Sequence, residues 1–435
     1  MKLYLSIISL IVIGIILNFV NYSYFEGLLS IVWCAASVLI MYMALKYTYK
    51  LKFRQFSIKS ILSGLKSKSK NDISPLSSLC ISLAAKIGVG SLSGVAICLY
   101  YGGLGSMFWL ALISILIAIN TYIECIVGIK YRDMSELGYV GGPSYYISKC
   151  LKNKKLSYIY GFLLIITYSG FFLSIQANTI VSTLSFFSIN KVYVIIILLL
   201  STLIIIMTGI KGITAVNNKL VPIMLIFYVG LGGYVFVNNF YSMKEIFLTV
   251  IKEAFRLKSI IPVFLVGMQR AIFITESSIG TSAISAASCD NSGDKQGMLE
   301  VLGIYIITFI VCFTTFLIIV TSDYSQINFE NLNGIEIVMY AFNYHFGNIG
   351  RINLTIITIM FAYSTIIASY FFGVSNLLIF SNKKKFKIIY LIFFVGVIFI
   401  SCYVKAKVLW NLCDYFIALM ALINVSSLLR ICDKE

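Results

Sequence analysis

The run Lys86-Ile87-Gly88-Val89-Gly90-Ser91 sets an ammonium, two glycines and a hydroxyl in the middle of an apolar stretch from 75 to 100. The chemistry open to such a run is ion pairing, anion capture by bare backbone amides and cation capture by backbone carbonyls. Lys86 lies 11 residues beyond Pro75, which is about 16 Å along a helix rising 1.5 Å per residue. Its side chain is too short to leave a hydrocarbon layer about 30 Å thick. It therefore needs a partner or a cavity, and such residues mark substrate or ion pathways. A second interrupted stretch, near 260 to 287, contains Gln269-Arg270-Ala271-Ile272-Phe273-Ile274-Thr275-Glu276-Ser277-Ser278-Ile279-Gly280-Thr281. Irregular backbone at membrane depth is tolerated only where protein buries it or a watery cavity meets it.

Catalytic chemistry finds little support. The chain has one histidine, His345, and no grouping of nucleophile with base or of metal ligands, which excludes a membrane enzyme. The 10 cysteines are scattered without a CxxC pair and read as small packing residues in a reducing context.

The elements that hold these residues are membrane spans. Hydrophobic residues make up 60% of the 435, charged residues 12%, and mean hydropathy is +0.95. An all-α polytopic membrane protein follows, in a lipid bilayer and with no appended soluble domain. Twelve spans are expected, near 3–22, 27–48, 75–100, 105–129, 157–183, 192–208, 220–238, 260–287, 298–320, 352–380, 386–402 and 408–430. The first reads as a retained span because no small-residue cleavage site follows it. The net charge of +17 does not indicate nucleic acid, since the basic residues lie in short loops. With both termini cytoplasmic, inside segments hold 24 of the 34 Lys and Arg residues and outside segments hold 8. That bias fits the positive-inside rule for a multi-pass protein of the plasma membrane.

The interrupted third and eighth spans each open a set of five. Paired interruptions of this kind are the sequence sign of an inverted-repeat transporter, with substrate held between broken helices. The organisation expected is two N-terminal helices with a basic cytoplasmic segment over 1–74, a first five-helix repeat over 75–240 and a second over 241–435.

Asp72-Ile73-Ser74-Pro75 with Gly88-Val89-Gly90-Ser91-Leu92-Ser93-Gly94-Val95-Ala96 resembles the first core helix of the sodium:alanine symporter family, the alanine or glycine:cation symporters. The similarity continues in order through Gly102-Gly103-Leu104-Gly105, Phe108-Trp109, Glu124-Cys125, Tyr139-Val140-Gly141-Gly142-Pro143 and Tyr145-Tyr146-Ile147. Lys219-Leu220-Val221-Pro222, Arg270 to Gly280, and Trp410-Asn411-Leu412 with Asp414 complete it, over about 45–430. The resemblance implies the leucine-transporter type of fold, alternating access, a small amino acid substrate with alanine or glycine favoured, and Na+ as coupling ion with no other cofactor. Against the family pattern, Val89 replaces Thr, Ser91 replaces Asn, Lys86 replaces Thr, and Ser369 stands where the family has a pocket Trp. A pocket that opens at Ser369 also admits larger amino acids.

Substrate contacts are expected at Gly88, Val89, Gly90, Ser91, Gln176, Phe273 and Ser369. Amides freed at Gly90 and Ser91 face a carboxylate, helped by the positive end of the following half-helix. Carbonyls left without helical donors from Ala84 to Ile87 face a cation or the substrate ammonium. Ion binding or coupling is expected at Ala84, Lys86, Ile87, Thr275, Glu276, Ser364 and Thr365. Plainer readings stand beside these. The glycines serve close helix packing, Ser364 and Thr365 bond their own helix, Gln176 bridges helices and Phe273 fills core. Arg270 pairs with Glu276 across the break, with Asp414 as another counter-ion. Lys86 either takes the place of the ion, giving a sodium-independent or proton-coupled carrier, or pairs with Glu276 or Asp414. A receptor or sensor that binds without moving its ligand is the reading from a different class. Oligomeric state has no signal in the sequence.

Overall fold

The computed structural model describes residues 13–14, 22–65, 73–136, 138–323 and 334–434. The expected first span, 3–22, lies outside these apart from 13, 14 and 22, as do Asp72 and residues 327–333. Helix α1 (Tyr22–Lys50) leads through a short turn to α2 (Ile58–Leu65). Pro75 then starts α3 (Pro75–Lys86), where the missing amide of proline costs nothing and the Ser74 hydroxyl accepts from the Ser77 amide. The chain breaks at Ile87-Gly88, makes one 3-10 turn at Val89–Ser91 and resumes as α4 (Ser93–Gly102), bent by 57° from α3.

Helix α5 (Gly105–Lys130) is followed by a small hairpin, Asp133–Ser135 against Gly138–Val140, antiparallel with Asp133 opposite Val140. Nothing in the apolar pattern announces these strands. The hairpin is tied to a distant part of the chain by Lys387 and Asn382, which donate to Glu136, and the Lys387 contact holds the Glu136 carboxyl below its ordinary range. Next come α6 (Pro143–Lys149), α7 (Lys154–Ser185), α8 (Lys191–Met207) and α9 (Gly209–Asn238). Helix α9 begins eleven residues before the expected 220, because Gly209 at φ 73 turns the chain straight out of α8.

Helices α10 (Met243–Ala254) and α11 (Ile260–Thr275) precede the second break, and α12 (Thr281–Ala287) follows it. Then come α13 (Gly293–Val320), α14 (Gly334–Leu377), α15 (Lys384–Ser401) and α16 (Ala406–Cys432). Helix α14 changes direction at Gly347, φ 59, so the part from Gly334 to the kink is a separate short helix. Helices α7 and α13 each carry a π-helical turn, Thr167–Phe172 and Ile306–Cys312.

Among the described residues seven helices are long and apolar enough to span a membrane, and the bent α3/α4 pair makes eight. α8 and α11 are shorter apolar helices. Apolar side chains also cover the outside, as with Ile197, Ile204, Ile226 and Val237, each exposed by 65% or more. In water that surface would be unfavourable; against lipid it needs no partner. The inside is closed by α5, α7, α12, α13 and α16 around the two breaks.

Candidate functional site

The first break is held open by its neighbours. Gly88 has no room for a side chain, since a Cβ there would lie 2.6 Å from Thr365 Oγ1 and 3.0 Å from Gln176 Oε1. The Val89 amide, freed by the break, donates to Gln176 Oε1 at 3.0 Å. Gln176 Nε2 is buried without a partner. The Ser91 hydroxyl donates to Gly88 O at 2.8 Å, and the Ser91 amide is turned back on the same carbonyl at 3.1 Å. In this conformation it is therefore Val89, and not Ser91, whose amide reaches out of the turn. Thr315 of α13 closes the far side, its hydroxyl donating to Ser91 O.

The second break is a left-handed kink. Glu276 and Ser278 have φ of 52 and 71, and Gly280 has φ 105. That strain needs bracing, and α5 supplies it: Asn120 donates to Ser278 Oγ at 3.0 Å, and Thr121 to Ser277 Oγ at 2.9 Å. Asn424 of α16 donates to Ser278 O, and Tyr160 of α7 to Ile279 O. Gly280 lies against the Pro143 ring, so its position is fixed by α6 as well as by its dihedrals.

The two breaks meet at Phe273. A Cβ on Gly90 would sit 3.0 Å from the Phe273 ring, whose centroid is 5.1 Å from that of Trp410 and 5.6 Å from that of Phe172. Phe273 therefore packs between the two breaks. Arg270, one turn earlier, lies over both Phe273 and Trp410 and pairs with Asp414 of α16. The expected Arg270–Glu276 pair does not form. The left-handed turn at Glu276 sends its carboxylate to the Thr281 hydroxyl, 2.7 Å away, leaving Asp414 as the arginine's partner.

A pair of oxygens suited to a cation lies on the other side of the first break. The Ala84 carbonyl and the Thr365 hydroxyl are 2.7 Å apart, between α3 and α14. Both are hard oxygen ligands, the chemistry that alkali and alkaline-earth cations select. Ser364 does not join them, because its hydroxyl turns to Phe361 O and Met224 Sδ. Thr275 likewise bonds its own helix at Ala271 O and caps the Ser277 amide. Ile87 ends α3 with its amide on Leu83 O. Ser369, one turn after Thr365, is fully buried with its hydroxyl unpartnered.

Lys86 points elsewhere. Its ammonium meets the Ser82 and Ser282 hydroxyls and Glu300 Oε2, on α3, α12 and α13. Neither expected counter-charge, Glu276 or Asp414, is its partner. Glu300 was not distinguished in the sequence, since it sits in an ordinary helical stretch 214 positions away. Glu124 is fully buried inside the bundle and accepts from Asn424 at 2.6 Å, so it is a structural bridge between α5 and α16 and not an interfacial residue.

The model of the sodium:alanine symporter family matches residues 17–434 of this chain. The chain is 28% identical over 402 residues to the probable sodium/glutamine symporter GlnT of Bacillus subtilis, covering 89% of this chain and 83% of that protein. It is 27% identical over 417 residues to the amino-acid carrier protein AlsT of the same organism, covering 93% and 89%. The similarity to the sodium/alanine symporter AgcS of Methanococcus maripaludis is 28% over 375 residues, covering 83% and 82%.

Proposed function

The chain belongs to the sodium:alanine symporter family, and we propose that it carries a small neutral amino acid, alanine or glycine above others, into the cell with sodium by alternating access. It is a membrane transporter and not an enzyme. In this reading the helices from 75–240 and 241–435 are two five-helix repeats of opposite membrane sense, preceded by two N-terminal helices over 1–74, with both termini cytoplasmic. The first core helix of each repeat is the broken one.

The observation that carries the reading is the junction of Gly88, Val89 and Gln176 under the Phe273 ring. A substrate carboxylate would take the Val89 and neighbouring amides at the start of α4, where the helix dipole also favours negative charge. Gln176 would then exchange its bond to Val89 for one to the substrate, using the amide nitrogen that now lacks a partner. The substrate ammonium would face the carbonyl end of α3. Sodium would sit between the Ala84 carbonyl and the Thr365 hydroxyl, once the hydroxyl hydrogen rotates away. Ion and substrate thus share one helix end, which is how binding one favours the other.

Ser369 supports a second substrate class. A serine with an unpartnered hydroxyl in this wall leaves room and a hydrogen-bond donor for a polar side chain such as that of glutamine. Counterflow of labelled alanine, glycine and glutamine in proteoliposomes, with sodium or choline outside, tests the whole reading. Sodium-stimulated exchange of at least one of the three is expected. Binding without exchange would make the protein a receptor, and equal exchange in choline would remove sodium coupling.

A further inference from the structure

Lys86 and Glu300 form an ion pair at 3.2 Å with side-chain exposures of 1% and 0%. The ammonium has three oxygen partners: the Ser82 hydroxyl, the Ser282 hydroxyl at 3.1 Å and Glu300 Oε2. Ser82 in turn donates to that same carboxylate oxygen. The other one, Glu300 Oε1, is buried with no hydrogen-bond partner. A lysine has three N–H donors and no acceptor, so these oxygens saturate it. One carboxylate and two hydroxyls around a single positive charge are also the donor set of a small monovalent cation. They come from three elements, α3, α12 and α13, which join the inner ends of both broken helices to the helix beside them.

We propose that Lys86 is a tethered cation: its ammonium fills a cation site made by Ser82, Ser282 and Glu300, and this site binds free sodium when the ammonium is removed. The site is separate from the Ala84–Thr365 oxygens and goes beyond the transport reading above. A cation on a side chain cannot leave, so the charge at this junction stays fixed while α3 and α12 move through the transport cycle. Coupling is then left to the oxygens on the α14 side of the break. Charge balance supports the assignment. Removing the ammonium alone strands a carboxylate where an unpaired charge is strongly disfavoured, and a cation from solution restores neutrality through the same oxygens. Neutralising Glu300 as well removes the reason for that cation to bind.

The test compares full-length wild type, Lys86→Ala and Lys86→Ala/Glu300→Gln by thermal unfolding in sodium chloride and in choline chloride at equal ionic strength. The unfolding midpoint of Lys86→Ala should rise saturably with sodium, by at least about 3 °C more than wild type. That extra rise should vanish in the double variant. Recovery of folded Lys86→Ala in sodium but not in choline also supports the proposal. It is overturned if the single variant and wild type respond alike, if the extra rise survives Glu300→Gln, or if Lys86→Ala aggregates in both salts, because sodium then cannot stand in for the ammonium. The readout is a difference between variants and holds whatever drives uptake in wild type. Failure of sodium coupling is seen separately, as equal counterflow in choline.

Discussion

At the scale of single residues, the break between α3 and α4 has no room for a methyl group at Gly88. Thr365 is β-branched and its one hydroxyl hydrogen lies between Ala84 O and Phe361 O, so a new Cβ on Gly88 would cost it that placement. Gly88→Ala should therefore displace Thr365 and Gln176 together and lower the initial rate of alanine counterflow by about tenfold or more, a barrier change of about 1.4 kcal/mol. Gly90→Ala meets only the edge of the Phe273 ring, 3.0 Å away, and that ring can shift. Its effect should be a few-fold at most. Equal losses in the two variants would mean that the glycines serve close packing alone. Thr365 itself carries a sharper expectation. Thr365→Val keeps the shape and removes the oxygen, so the sodium concentration for half-maximal uptake should rise about tenfold, while Thr365→Ser should stay near wild type. An unchanged sodium dependence in Thr365→Val would move the ion away from Ala84.

At the scale of elements, α11, the first half of the second broken helix, is fastened to the last helix by an ion pair. Arg270 and Asp414 are almost fully buried, and each keeps one atom, Nη1 and Oδ1, without a partner. Arg270→Gln or Asp414→Asn alone leaves a charge uncompensated and should destabilise the protein by about 3–5 kcal/mol. The double variant removes both charges and should recover most of that loss. Additive losses, read from thermal unfolding of all four proteins, would show that the two side chains do not act as a pair. This pair also marks the limit of what could be read from the sequence. The all-helical membrane class and both breaks were legible, because glycines and a lysine inside apolar runs contradict a continuous helix. The partners were not. Glu276 is nearer to Arg270 along the chain, but its left-handed backbone turns it to Thr281, and backbone handedness at a non-glycine residue leaves no mark in composition. Glu300 was overlooked for a related reason. It lies in Gly293–Tyr305, a regular helix with an ordinary polar beginning, and only folding brings it to Lys86. Thr365 and Ser364 are adjacent hydroxyls that the sequence treats alike, and helix rotation sends one to the break and the other to Met224.

At the scale of the whole molecule, the junction is sealed from both sides. Val89, Ser91, Gln176, Thr365 and Ser369 are fully buried, and Phe273 is 1% exposed. In the proposed alternating-access cycle this is an occluded state, in which each seal would open in turn for a substrate to pass. One seal consists of Phe273, Trp410 and the Arg270–Asp414 pair, with the first part of α14 set against the start of α4 through Gly334 and Ser93. The other is α12 packed on α5, with the Lys86 cluster beside the break. A cysteine at Ser369, in a chain whose native cysteines are replaced, should therefore react slowly with a membrane-impermeant thiol reagent. It should nevertheless be reachable from either face, in right-side-out and in inverted vesicles, because open states populated to a few per cent suffice for labelling. Saturating substrate with sodium should slow both reactions by about tenfold if it shifts the population toward the occluded form. Labelling confined to one face under every condition would contradict alternating access, and with it the transport reading of the junction.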